Sequence, residues 1–255
     1  MQAFSPCETG AWNVGGVVRA AGTTPGERAV ACAMDSAFGG IGWTRAESAG
    51  GRAEVDTVTY GAFRREAFER AGLYDETLIR NQDDELNLRL RLAGGTIVLD
   101  PAIEVFYTPR ASWRRVFRQY YEYGLWKIPV MLRHRRVLSA RSLAPAAFVL
   151  GLIGGALLGL VWRPAWALTA AVVAVYAIAA LGFAVASVRR RGEPAALVPR
   201  VVAVYTAFHV GYGVGMLHGA LRALLRPAAP AGGPPQLERL PQPGHEGDEA
   251  HPERP

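Results

Sequence analysis

Cysteine is nearly absent: two residues in 255, Cys7 and Cys32, with neither metal-ligand spacing nor a disulfide framework around them. Reduced thiols in a cytoplasmic domain are the expectation. Met1 is followed by no basic n-region and no apolar h-region, so no secretory leader is read. The glycine loop Gly39-Gly40-Ile41-Gly42 comes without a P-loop lysine or a dinucleotide fingerprint, which leaves a phosphate cradle there without its chemistry. Acids are scarce before Asp56, with only Glu8, Glu27, Asp35, Glu47 and Glu54, and no two of them have the geometry of a hard-cation site. Basic residues are in excess, with a net charge of +6, but they form no nucleic-acid patch. Arg133, Arg135, Arg136 and Arg141 precede an apolar run and Arg189, Arg190 and Arg191 follow another, positions that orient a membrane protein and meet anionic lipid.

What is present is uneven. Residues 1–140 are mixed and charged, 144–221 are overwhelmingly apolar, and 227–255 are rich in Pro, Gly and charge. The layout is a soluble α/β module over 1–110, an amphipathic helix over 111–140, a transmembrane region over 141–222 and a disordered tail over 223–255. Three spans are expected, about 144–162, 165–188 and 196–221, and Arg163-Pro164 makes the first two a tight hairpin. Positive-inside logic places residues 1–140 in the cytoplasm, and a third crossing would put the tail outside. Gly151, Gly155 and Gly159 recur every four residues, as do Gly211, Gly215 and Gly219, so spans one and three are expected to pack through these faces. His209 and His218 read as a polar face lining the bundle, with an ion path as the sharper alternative.

Within the first module, Gly15-Gly16-Val17-Val18 suggests a turn into a strand and Glu27 to Met34 a helix. Val55 to Tyr60 alternates and is β-branched, which predicts a strand. Gly61-Ala62-Phe63 then leads into a helix from about Arg64 to Ala71, ending at Gly72. Thr96–Leu99 and Ile103–Tyr107 read as two strands separated by Asp100-Pro101. Ser112 can cap a helix running from Trp113 to about Arg133, with an apolar-aromatic stripe and its basic residues largely off it. Such a helix either lies in the membrane interface or covers the domain core.

The stretch with chemical promise is Asn81-Gln82-Asp83-Asp84-Glu85-Leu86, the start of a short helix closing on Gly94-Gly95. Asn81 suits an N-cap, acids suit the positive end of the helix dipole, and Leu86, Leu90 and Ala93 share an apolar face. Three adjacent carboxylates are more than a cap requires. They repel one another, and one of them gains a raised pKa suited to a general base.

Gly61-Ala62-Phe63-Arg64-Arg65-Glu66-Ala67-Phe68, then Gly72-Leu73-Tyr74-Asp75-Glu76, then Asn81 to Leu86 with Arg89-Leu90, resemble the second half of the family-2 glycosyltransferase domain. The flavour is that of the membrane-anchored succinoglycan-type exopolysaccharide synthesis enzymes, and the resemblance covers roughly Thr9 to Arg133. It implies a partial Rossmann-like glycosyltransferase-A domain followed by transmembrane helices, and an inverting transfer from a nucleotide sugar. The family pattern lays Asp83 on the catalytic base, Glu85 on the later acid and Gln82 on the place of a first acid, with Asp84 as the alternative base. It also lays Gly61, Ala62 and Phe63 on the segment lining donor sugar and acceptor. Gln119 and Trp126 fall in the Gln-and-Trp region bordering the acceptor channel, with Leu125 where an arginine is usual.

The family's Asp-x-Asp, which holds Mn²⁺ or Mg²⁺ on the donor diphosphate, occurs nowhere in the chain. A divalent cation is therefore expected of the full-length enzyme with no site for it here, and the chain is expected to be truncated at its N-terminus. The resemblance further implies membrane lipid, a nucleotide sugar and a lipid-linked or polysaccharide acceptor as partners, no nucleic acid, and a multi-pass place in the cytoplasmic membrane. The rival expectation is a non-catalytic scaffold or remnant within a polysaccharide assembly. A small transporter resting on His209, His218 and the glycine faces is a third.

Overall fold

The computed structural model describes residues 10–39, 51–136 and 140–225. The glycine loop beyond Gly39, Cys7 and the expected tail beyond Leu225 lie outside them, while residues 223–225, expected in the tail, end the last helix. A four-stranded mixed sheet, ordered β2-β4-β1-β3, carries the site, followed by long helices, in keeping with the α/β expectation. Strand β1 (Asn13–Ala20) lies at its centre and pairs in parallel with β4 (Ile97–Tyr107). Short antiparallel strands close the edges, β2 (Ala53–Glu54) on β4 and β3 (Ala62–Phe63) on β1. Helix α1 (Pro25–Met34) opens with a reciprocal cap: Thr24 Oγ1 accepts from the Glu27 amide at 3.3 Å, and the Glu27 carboxylate accepts from the Thr24 amide at 3.0 Å.

Three expectations about this module are corrected. Gly15 and Gly16 do not turn; they lie inside β1 because neighbours press on both. A Cβ on Gly15 would stand 2.5 Å from the Val58 Cβ, and one on Gly16 would collide with the Ile103 carbonyl. Val55 to Tyr60 forms no strand: the Val55 amide still donates to the Ile97 carbonyl of β4 at 3.0 Å, but the segment then leaves the sheet edge and buries Val58. Thr96–Leu99 and Ile103–Tyr107 are not two strands. One strand runs through Asp100-Pro101 with the register slipping between Gly16 and Val17, and the bulge carries the missing proline N–H. The Asp100 carboxylate steadies that bulge by accepting from the Ala102 amide at 2.9 Å.

Helix α2 (Arg65–Ala71) ends at Gly72, at φ 78°, close to the expected range. Helix α3 (Gln82–Leu92) follows, then α4 (Trp113–His134), α5 (Ala140–Gly159), α6 (Pro164–Arg190) and α7 (Val198–Leu225). Three helical stretches are long and apolar enough to cross a membrane: Arg141–Gly159, Pro164–Arg190 and Ala195–Leu225. They make this a membrane protein by length and composition. The expected tight α5–α6 connection is present, from Leu160 to Arg163.

The two glycine faces do not meet. Gly211, Gly215 and Gly219 of α7 lie against the backbone of Phe117, Tyr121 and Leu125 in α4, whereas Gly155 and Gly159 of α5 face Thr169 and Trp166 of α6. Helices α5 and α7 do touch, but through Gly213 against Pro145 and Val149. A period-four glycine row reveals a close approach without naming the partner. The α4 stripe is therefore covered by α7, with Tyr120 stacked on Phe208 at 4.0 Å between ring centroids. His209 and His218 are satisfied within the helices: His209 bonds Tyr176 and the Phe38 carbonyl, both at 3.0 Å, and His218 bonds Tyr121. The main core joins α1, α4, α6 and α7 around Val116, Ala184, Tyr205 and Phe208.

Candidate active site

Helix α3 is set in place before its carboxylates are. Leu86 and Leu90 are buried against Ala67 and Ala71 of α2, while Ala93 is exposed beyond the last turn. Gly94, at φ 88°, takes the left-handed C′ position. The other end departs from expectation. Asn81 occupies the N-cap position in a left-handed conformation (φ 62°) and makes no cap bond; its Nδ2 donates to the Tyr123 carbonyl of α4 at 2.9 Å. Gln82 Nε2 donates to the Leu78 carbonyl at 2.6 Å.

Successive helical residues point about 100° apart, so three adjacent acids meet three environments. Glu85 points inward and is 1% exposed. Arg89 grips it from one turn on, at 2.8 to 3.0 Å, and His134 Nε2 reaches its Oε1 at 2.9 Å. Arg89 also donates to the carbonyls of Ala71 and Leu73, so the buried pair ties the end of α2 to α3. Asp84 faces α4 and meets Lys127 Nζ at 2.5 Å. Asp83 makes no ion pair among the described residues. Burial, then the charge of Asp84, holds its carboxyl above the usual carboxylate range; the amides of Asp83 and Asp84 and the Lys127 ammonium oppose this. Tyr74 and Tyr123 lie close enough for Asp83 to add to the rise that burial gives their phenols.

The other candidate residues converge on this corner unevenly. Phe63 packs edge-on to Tyr74, with centroids 6.2 Å apart, which links the Gly61-Ala62-Phe63 segment to the neighbourhood of Asp83. Gly61 has a packing reason of its own, because a Cβ there would strike the side chain of Asn13. Asn13 Nδ2 in turn donates to Asn87 Oδ1 of α3 at 2.7 Å, and Asn87 Nδ2 donates to Thr57 Oγ1 at 2.8 Å. Ala62 is exposed. Gln119 Nε2 donates to the Tyr123 hydroxyl at 2.8 Å, and Trp126 is half-buried one residue before Lys127.

Sequence reasoning missed the groups that bind α3 to α4. Lys127 and His134 join Arg133, which pairs with Asp75, and Glu122, which takes Arg80 at 3.0 Å. The available signal was that Lys127 falls off the apolar stripe of α4; its partner lies 43 residues away in the chain. Among the described residues no three His, Cys, Asp or Glu side chains gather to hold a metal, and Asp84 and Glu85 already answer to cations of the protein. The described residues do not fit a divalent ion.

No family model matches the chain, and no solved structure does. Among curated proteins, the succinoglycan biosynthesis protein ExoA of Rhizobium meliloti (strain 1021) is 33% identical over 178 residues, covering 69% of this chain and 52% of ExoA. The chain thus spans about half the length of the curated relative it matches. The order of motifs from Gly61 to Leu90 and this relationship agree: the matched stretch is similar to a family-2 glycosyltransferase of succinoglycan synthesis.

Proposed function

We propose that these residues form the acceptor-side half and the membrane anchor of an inverting glycosyltransferase of exopolysaccharide synthesis, with Asp83 as its general base. One observation carries the reading: of the three acids opening α3, Asp83 alone has no cation partner among the described residues, and its surroundings make it more basic. The carboxylate takes the proton of an acceptor hydroxyl while that oxygen bonds to the anomeric carbon. The bond from that carbon to the nucleoside diphosphate breaks, its electron pair leaves with the diphosphate, and the configuration inverts. Asp84, neutralised by Lys127, and Glu85, fixed by Arg89 and His134, hold the first turn of α3 in place for this transfer. Gly61, Ala62, Phe63, Gln119 and Trp126 border the acceptor.

The acceptor is a lipid-linked or growing polysaccharide chain, and the soluble module works at the cytoplasmic face of the cell membrane, where the arginines beside the apolar helices favour it. A divalent ion would neutralise the donor diphosphate in the complete enzyme. We assign its ligands and the nucleotide site to a donor half outside the described residues, in an upstream reading frame or a second polypeptide. The boundaries 1–110, 111–140, 141–222 and 223–255 remain our division of the chain.

The test is Asp83→Asn in the complete enzyme, assayed in membrane vesicles with a labelled nucleotide sugar. Turnover falls about 10²–10⁴-fold, the usual contribution of a positioned base; turnover near the parent's removes Asp83 from that role. A second reading, a non-catalytic scaffold in the same assembly, is favoured by the missing cation ligands. It predicts co-purification with a partner and no nucleotide-sugar binding by the complete protein.

A further inference from the structure

Length admits α5, α6 and α7 alike, but the stretch containing α7 is the least apolar, with a mean hydropathy of 1.2 against 1.9 and 2.3, and the surroundings of the three differ further. Within the apolar window of each, 17% of α5 and 22% of α6 are buried inside the protein, against 50% of the stretch containing α7. From Leu150 to Phe183 large apolar side chains stand exposed in an almost continuous belt, including Leu157 at 62%, Val161 at 85%, Leu168 at 65% and Ile178 at 72%. On α7 the exposed large apolar residues are Leu221, Leu224 and Leu225, all at its end.

The direction of α7 follows from its contacts. Trp113 Nε1 donates to the Ala203 carbonyl at 3.1 Å, then Phe117 meets Gly211, Tyr121 meets Gly215, and Leu125 and Ile128 meet Gly219. Both helices ascend together, so α4 and α7 lie side by side and parallel for about 16 residues, or roughly 24 Å. The hairpin crosses them. Ser142, Pro145 and Val149 of α5 all meet α7 at Tyr212 and Gly213. Along α6, Tyr176 bonds His209 and Ser187 lies beside Tyr205, so about 11 residues of α6 answer to about four of α7, a steep crossing.

An α7 standing upright in the bilayer would bring α4 upright beside it. The middle of α7, near Gly211, would then set at mid-membrane the Arg118 side chain, which is 79% exposed, and the Arg80–Glu122 and Lys127–Asp84 pairs that hold the acidic helix. Hydrocarbon excludes such groups. We infer that only the α5–α6 hairpin enters the bilayer, and that α7 lies with α4 along one membrane surface as a two-helix platform beneath the sheet. The end of α7 is on the same side of the membrane as α4. The hairpin extends about 18 Å past α7, from Tyr176 to Pro164. With the platform seated ~5–10 Å into the interface, its tip comes close to the far edge of a ~30 Å hydrocarbon core. Trp162 and Trp166 flank Arg163 at that tip, the composition of an interfacial anchor. The inference stands on packing alone and does not depend on the enzymatic reading.

Cysteine mapping in native membranes tests it. In a chain with Cys7 and Cys32 replaced by serine and alanine, single cysteines at Arg114, Arg163, Arg222 and Leu224 are reacted with a membrane-impermeant maleimide in right-side-out and inverted vesicles. Arg114→Cys, Arg222→Cys and Leu224→Cys react in one orientation, and Arg163→Cys in the other. Reaction of the positions at 222 and 224 from the side opposite 114 shows that α7 crosses and overturns the platform. Reaction of the position at 163 from the same side as 114 overturns the crossing of the hairpin.

Discussion

Replacing Lys127 with methionine isolates what the ion pair does for the base. Methionine keeps the length and apolar stem and removes the charge. Two unit charges about 4 Å apart interact by ~4 kcal/mol at an effective dielectric near 20. The Lys127 and Asp84 side chains retain 12% and 24% of their exposure, so a net loss of about 1–2 kcal/mol lies between exposed and buried pairs. The effect on Asp83 runs one way. Lys127 lowers its pKa directly, and Asp84 raises it with a charge that Lys127 offsets. Without Lys127 both changes push the Asp83 carboxyl further up. A general base works only deprotonated, so activity is lost as pH falls through its pKa. Raising that pKa therefore moves the acid limb of kcat/KM to higher pH, while the rate on the plateau stays within a few-fold of the parent. The assay is glycosyl transfer by the complete enzyme across pH, with Lys127→Arg restoring the parent profile. An acid limb that stays in place, or moves to lower pH, refutes the assignment of Asp83 and its electrostatic coupling to this pair.

Two further predictions concern stability in detergent or vesicles. Glu85→Ala strands the guanidinium of Arg89, which is 8% exposed, and lowers stability by about 3–5 kcal/mol on thermal unfolding, where a solvated pair would cost under about 1 kcal/mol. Gly215→Ala forces a Cβ onto the Tyr121 carbonyl and costs about 1–3 kcal/mol, whereas Gly151→Ala enters open space and gains up to about 1 kcal/mol; equal effects at the two glycines would contradict the assigned faces.

Local signals carried the helices and the acidic triad; long-range contacts decided the rest. Leu86 and Leu90 announce the buried face of α3, because a helical period acts within a turn or two, and α1 is expected from Glu27 although its Thr24 cap starts it at Pro25. Gly15-Gly16 misleads for the opposite reason: a glycine pair is locally a turn, and only Val58 and Ile103, brought from far along the chain, make it the middle of a strand. Pro101 misleads likewise, since a proline that breaks a regular ladder is tolerated in a bulge. At the site, the acids and the Gly61 segment were legible as a pattern, but the inequality among the acids was not. Asp83 differs from Asp84 and Glu85 because Lys127 and His134 arrive from another helix and Arg89 reaches Glu85 from the next turn.

The pairing of α4 with α7 advances in steps of four on both helices, with Phe117 on Gly211, Tyr121 on Gly215 and Leu125 on Gly219, while another side of α4 presents Lys127 and His134 to α3 and Glu122 to Arg80 just before it. Two registers are thus read from one rod. A single residue inserted between Tyr121 and Lys127 would turn everything beyond it by about 100° and shift it by 1.5 Å, carrying Lys127 and His134 off their acids while the first contacts with α7 stayed matched. The residue count of α4 is thus fixed by two partners together, as no single side chain on it is.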